Sequence, residues 1–472
     1  MKYGNSTIQY EIYGKLIFYR KEGMMQLFGL VLALVSTMLF IFPAMGGDET
    51  VTREEFDQLK NELNNLKAEI ASEEAELKEL SAGKHLSEDQ IVFGEYWKDG
   101  LHHISKDGNF DMRVGGRVHV DGSFFSVDDG LTEAAAAIPN NDSIKSGWEL
   151  RHPRIYLKGR IYKRFLYKVQ YTFSDNTIGD AYVGVVNLPV LGTVILGKAA
   201  RDFGLNPVPS SNYTLFMEYA NTIIFGAGKQ VGLAVGAPVL SNRGSWGAQL
   251  FQFVDGNGVR TEDNYNLNLR LTGLPWYREK GREMFHLGAS YSFRSSKDEY
   301  QLHAKPENHL APYFVDTGDI AIQDANHFCG EAAWVQGPFS LESEFYTALV
   351  NREDDLSNLS FFGFYSQCCL ILTGESRGAQ YVTGYGAFDG PLRPNHNLDF
   401  EEGTWGAWEL AARYSYLHLN DDDIRGGILG DLTVGVNWQF NPNIRWMLNY
   451  IHSHRNGAGD ADIIATRLAV NI

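Results

Sequence analysis

From Gly108 to Phe125 the chain alternates apolar and polar residues. Phe110, Met112, Val114, Val118, Val120 and Phe124 take the even positions, and Asp111, Arg113, Arg117, His119 and Asp121 the odd ones. Successive side chains of a strand point to opposite faces, so the run predicts a strand with one greasy and one charged face. The same alternation returns in FLYKVQYTFS from Phe165, FHLGASYSFR from Phe285 and DLTVGVNWQF from Asp431. Sixteen strands are predicted, starting near residues 110, 148, 165, 178, 192, 229, 244, 263, 283, 326, 338, 360, 405, 430, 443 and 462.

Alternation alone fits a soluble sandwich as well as a membrane barrel. Three further features favour the membrane. The strands are near ten residues, enough to cross a bilayer when tilted. Trp148, Trp405, Trp438 and Tyr450 sit at or near strand ends, as an aromatic girdle requires. The connections alternate, tight near 163, 189, 241, 337 and 442 and long at 126–147, 199–228, 295–325 and 349–359. Short inner turns and long outer loops mark outer-membrane barrels. One connection, 374–404, is long where parity asks for a short one. The expected fold is all-β: a 16-stranded antiparallel transmembrane β-barrel over 108–472, with lipid on its apolar face. At that strand number the interior is expected to be a water-filled channel.

Upstream of the strands, Lys2, Lys15, Arg20 and Lys21 precede the apolar run MMQLFGLVLALVSTMLFIF. Ala44 and Gly46 offer small residues for cleavage, so residues 1–46 read as a signal peptide region, or as an anchor if uncleaved. Met24 and Met25 are alternative starts. In 51–80, Phe56, Leu63, Ile70 and Leu77 recur every seven residues, with Leu59, Leu66 and Leu80 on the second seam. That spacing predicts a periplasmic coiled coil and self-association. Residues 81–106 read as a loose stretch.

A net charge of -17 argues against a nucleic-acid partner. The three cysteines match no zinc or haem spacing, and no motif calls for a metal or other cofactor. No catalytic constellation has interpretable spacing, so an enzyme is not expected. Parity places Arg113, Arg117, Arg154, Lys158, Arg160, Lys168, Arg270, Arg294, Arg413, Arg445 and Arg467 inside the barrel. It also places Asp111, Asp121, Asp180, Glu342, Glu344, Glu409 and Asp431 there. Rings of Arg and Lys favour anions in pores, and the planar guanidinium suits phosphate.

WGAWELAARYSYLHLND from Trp405, DLTVGVNWQFNPNIRWMLNYIH from Asp431, GPFSLESEF from Gly337, LTGES from Leu372 and LRHPRIYLKGR from Leu150 resemble the phosphate-selective porin O/P family. The resemblance covers roughly 108–472. It implies a homotrimer in the bacterial outer membrane, embedded in outer-membrane lipid and passing phosphate or similar small anions. It also implies that the loop at about 199–228 folds inward as the constriction. There the sequence differs from the family pattern, with Ala200, Asn212 and Tyr219 at three basic positions. Lys198 and Arg201 are the basic residues expected at the constriction. Two alternatives accompany the anion porin: a general, weakly selective porin, and an envelope tether whose coiled coil contacts peptidoglycan.

Overall fold

The computed structural model describes residues 93–98, 100–199, 203–206, 210–261, 264–295, 300–353 and 356–472. The signal region, the coiled coil, Ala200 and Arg201 lie outside the described residues. Sixteen wall strands follow in chain order. They are β1 (Phe110–Val127), β2 (Gly147–Leu150 continued by Arg154–Ile161), β3 (Phe165–Thr172), β4 (Thr177–Leu188) and β5 (Gly192–Ala199). Next come β6 (Gln230–Val239), β7 (Gly244–Gln252), β8 (Asn266–Arg278), β9 (Glu283–Arg294), β10 (Ile322–Gln336) and β11 (Phe339–Arg352). The last are β12 (Leu359–Ile371), β13 (Ala407–Asp421), β14 (Ile424–Asn441), β15 (Ile444–Arg455) and β16 (Gly459–Asn471). Each pairs antiparallel with its neighbours, and β16 returns to β1 with Ala461 opposite Val127 and Asn471 opposite Arg117. Closure satisfies the wall's backbone groups without water, which hydrocarbon demands. Both ends of the barrel chain therefore lie at one rim.

All sixteen expected strands are present, the widest displacement being β14, which starts at Ile424 rather than 430. The faces follow the alternation. Leu432 is 46% exposed, while Asp431 and Thr433 beside it are fully buried. Two details differ from the sequence reading. Residues 81–106 are not all loose: Phe93–Trp97 and Leu101–Ser105 form a hairpin whose second strand pairs with the lower part of β1, Leu101 opposite Val114. The outer connections are not all long either. Those at 173–176, 422–423 and 456–458 are short. The first outer connection also carries a short helix, α1 (Asp129–Ala136).

The larger correction concerns the interior. The strand number predicts a wide aqueous lumen, yet the inward side chains of β8 to β16 are mostly buried. Three connections fill that side: those between β5 and β6 and between β9 and β10 from the outer rim, and 372–406 from the inner rim. A loop placed inside a barrel brings backbone carbonyls and amides that must find partners. Arginine, with five donors, meets the carbonyls. Arg445 donates to Thr214 O and Asn212 O (2.9 and 3.2 Å), Arg413 to Glu218 O (3.2 Å), and Arg467 and Arg294 to Met217 O and Phe225 O. Carboxylates meet the amides, with Glu344 accepting from Leu205 N and Asn206 N. Glu307, in the outer loop between β9 and β10, accepts from Arg413 (2.9 and 2.5 Å), Ser415 and Thr433 (2.6 Å each).

The inner-rim connection 372–406, anomalous by parity, is a plug. In its short turn Arg377–Gln380, Arg377, Gly378 and Gln380 are buried, Arg377 pairs with Glu342 at 2.7 Å, and its guanidinium lies over the Phe388 ring. Arg270 holds its chain through Tyr385 O and Gly386 O (2.7 and 2.8 Å) and grips Glu331 with two further bonds. His286 bonds the Tyr381 hydroxyl at 2.7 Å.

Candidate functional site

The packed loops leave a large cavity, about 890 Å³, against the β2–β5 side of the wall. Its basic lining comes from Arg117, Arg151, Arg154, Lys158, Arg160, Lys168 and Lys229. Its acids are Asp175, Asp180, Glu218 and Asp389. Among the described residues, seven positive groups against four negative ones leave a positive surplus of three.

Strand register arranges the bases as rungs. Arg117 on β1 stands opposite Arg154 on β2, and Arg113 opposite Lys158. Lys158 in turn stands opposite Lys168 on β3. On β2 the inward positions are every second residue, so Arg154, Lys158 and Arg160 run down one line toward the inner rim. Tyr156 fills the remaining inward place, with the Arg113 guanidinium and Lys158 ammonium 5.6 and 5.5 Å from its ring. Such contacts hold long cationic side chains near the wall.

The acids temper this charge. Asp180 takes Lys168 at 2.5 Å and Lys229 at 2.9 Å. Glu218, on the inward outer loop, accepts from Arg151 (3.0 and 3.1 Å) and Arg467 (2.8 Å). Burial alone would raise its carboxyl, but Arg151 and Arg467 outweigh that and hold it at about 2. Burial pushes the Tyr219 phenol up to about 12, so it stays neutral in the cavity. Asp389, from the plug, accepts from Ser210 N (2.7 Å) and the Tyr385 hydroxyl (2.5 Å), joining the plug to the outer loop across the pore.

Of the inward bases expected from sequence, Arg117, Arg154, Lys158, Arg160 and Lys168 line the cavity. Arg113 stands beside it through Tyr156. Arg270, Arg294, Arg413, Arg445 and Arg467 do not line it, because each is buried against an inserted loop. Lys198, expected at the constriction, instead donates to Asp255 O and Gly256 O at 2.9 Å, securing the outer loop that follows β7. Asn212, at a position basic in the family pattern, accepts from Arg117.

Sequence parity missed Arg151, His152 and Lys229. β2 is interrupted between Leu150 and Arg154, so Arg151 and His152 both reach the lumen. Pro153 carried the signal, since proline inside a strand marks an edge or a bulge. Away from the cavity, Cys329, Glu331 and Glu344 lie together, buried. Glu331 accepts from Arg270, His286 and Ser290, and Glu344 from Leu205, Asn206 and Tyr365, so this cluster anchors loops.

The sequence profile of the family described as phosphate-selective porin O and P matches residues 113–472. Porin O of Pseudomonas aeruginosa is 25% identical over 422 residues, covering 79% of this chain and 90% of that protein. An uncharacterized protein of Caulobacter vibrioides is 26% identical over 371 residues, 75% of this chain and 70% of its own length. Among solved structures, OmpT of Vibrio cholerae aligns at TM-score 0.48 and 10% identity, over 78% of this chain and all of that one. The anion-selective porin from Comamonas acidovorans aligns at TM-score 0.43 and 11% identity, over 77% of this chain and all of that one.

Proposed function

Since the chain belongs to the phosphate-selective porin O and P family, we propose that it passes small anions through the cavity against β2–β5 by passive diffusion. It is a porin of the bacterial outer membrane. The observation that carries the ion preference is the one-sided ladder of Arg117, Arg154, Lys158, Lys168 and Arg160 beside loop-filled space. A pore lined on one side by fixed positive charge concentrates anions and repels cations. Phosphate is the solute we assign, because paired guanidinium groups at Arg117 and Arg154 offer it forked donors. The reversal potential in a KCl gradient is expected to be anion-selective, and added phosphate is expected to reduce the chloride current. An anion-selective potential with no phosphate block would leave an anion pore without a phosphate site.

A second reading, a weakly selective porin, is favoured by one observation: Asp180 pairs with Lys168 of the ladder and with Lys229, and Glu218 pairs with Arg151, so carboxylates offset part of the cavity's positive charge. Titration tests whether Lys229 acts on the passing ions. Burial lowers the Lys229 ammonium to about 8, with Asp180 opposing and Lys168 assisting the fall. Deprotonation above that pH removes one positive charge from the cavity. Anion preference should therefore weaken as pH rises from about 7 to about 9, and Lys229→Met should make that step smaller. A potential flat across this range in the unaltered protein would place Lys229 outside the ion path.

We assign a homotrimer, with its interface on the outer face of β2, β3, β4 and β5. The second segment of β2, β3 and β5 each run for only eight regular residues, fewer than the roughly 9–11 that a tilted span needs. Their outer face is also hollowed, with a groove of about 480 Å³ lined by Ile161, Phe165, Tyr167, Val183 and Leu196. A protein neighbour fills such a hollow better than lipid covers so low a wall. Val183→Arg should give monomers in a mass measurement of the detergent-solubilised protein, and an unchanged trimer would move the interface elsewhere. The coiled coil at 51–80 is proposed to assist assembly and to contact peptidoglycan. Loss of cell-wall co-sedimentation on its deletion tests that contact.

A further inference from the structure

The outer end of β15 and β16 carries a group of side chains that the pore does not use. Even-numbered residues face outward here, so Tyr450, His452 and His454 share one outer face of β15. Directly across on β16, Asp462 stands opposite His452 and Asp460 opposite His454. His452 Nδ1 lies 2.9 Å from Asp462 Oδ1, and His454 Nδ1 lies 2.5 Å from Asp460 Oδ1. Both imidazoles are open to the outside, at 42% and 59% exposure. Tyr450 donates to the same Asp462 oxygen at 2.6 Å.

We propose that His452 and His454 form a binding site for a divalent transition-metal cation such as Zn2+ on the outer rim of the barrel. An ionised carboxylate only accepts, so each imidazole donates from Nδ1 and, when neutral, keeps a bare lone pair on Nε2. That tautomer is the one a metal takes, and a carboxylate behind the ring fixes its orientation and raises its basicity. Residues two apart on a strand face are about 6.8 Å apart along the chain, so two imidazoles there can close on one ion. With neutral imidazoles the four side chains carry two negative charges. Asp128, whose carboxylate accepts from Asp460 N, adds a third at the same rim. This charge favours a cation over a headgroup phosphate as the primary ligand. Water or a lipid phosphate oxygen would complete the coordination.

The test is isothermal titration of untagged, full-length protein in detergent with zinc chloride at about pH 7.5. One site is expected, weakened by about tenfold or more in His452→Ala/His454→Ala. Asp460→Asn/Asp462→Asn should keep the site but bind several-fold more weakly, because the ring orientation and two nearby negative charges are lost while both imidazoles remain. Planar-bilayer conductance, unchanged in both variants, shows that the barrel is intact. Absent zinc binding by the unaltered protein, or equal affinity in the histidine variant, overturns the proposal.

Discussion

Replacing Arg154 and Lys158 together by glutamate is expected to turn an anion-preferring channel into a cation-preferring one. The cavity holds a positive surplus of three, and two charge reversals subtract four. Both residues lie on the same inward line of β2, so the reversed charges face every ion that passes. The sign of the reversal potential in a KCl gradient is the measurement. The converse change should act the opposite way. Asp180→Asn frees Lys168 and Lys229 from a shared carboxylate and should raise anion preference. Lys198→Glu should leave the sign alone, because that ammonium serves the carbonyls of Asp255 and Gly256. A double variant that stayed anion-selective would show that ions take another route.

Removing the plug should have the other large effect. Excising 378–394 and joining the ends takes out Phe388, which packs inside the barrel against Leu274, Met284 and Val335, and Tyr385 and Asp389, which line the cavity. Sixteen-stranded walls enclose more room than side chains can fill, so conductance should rise about threefold. Anion preference should fall at the same time, because a wider path is screened by salt over about 10 Å. The wall should still fold, since its strands pair without the plug. Single-channel recording decides the matter. An unchanged conductance would mean that the narrowest point lies wholly within the outer loops.

The wall was readable because hydrocarbon and ladder hydrogen bonds impose a strict period of two. Leu432, Val434 and Val436 obey it, as do Arg154, Lys158 and Arg160. What fills the lumen has no such period, so parity says nothing of the loops. The same alternation that put Lys158 and Arg467 on the inner face gave no sign that one meets water and the other a loop carbonyl. The difference lies in which loop folds back over which strand, a long-range fact. The length of 374–404 was the one visible trace of the plug. Arg151 and His152 were hidden by a break of register, although Pro153 marked it.

The small hairpin at the inner rim bears on how the barrel closes. Gly116 and Ile472 exchange both backbone hydrogen bonds at the foot of the seam between β1 and β16. Just below, the strand Leu101–Ser105 already occupies the same edge of β1, from Val114 to Asp111. The last strand therefore meets a stop. Sliding further along β1 would need that hairpin to unzip first. A slip of one residue would turn every lipid-facing side chain of β16 inward. The chain thus places a ruler, before the first wall strand is reached, for a join made more than 300 residues later.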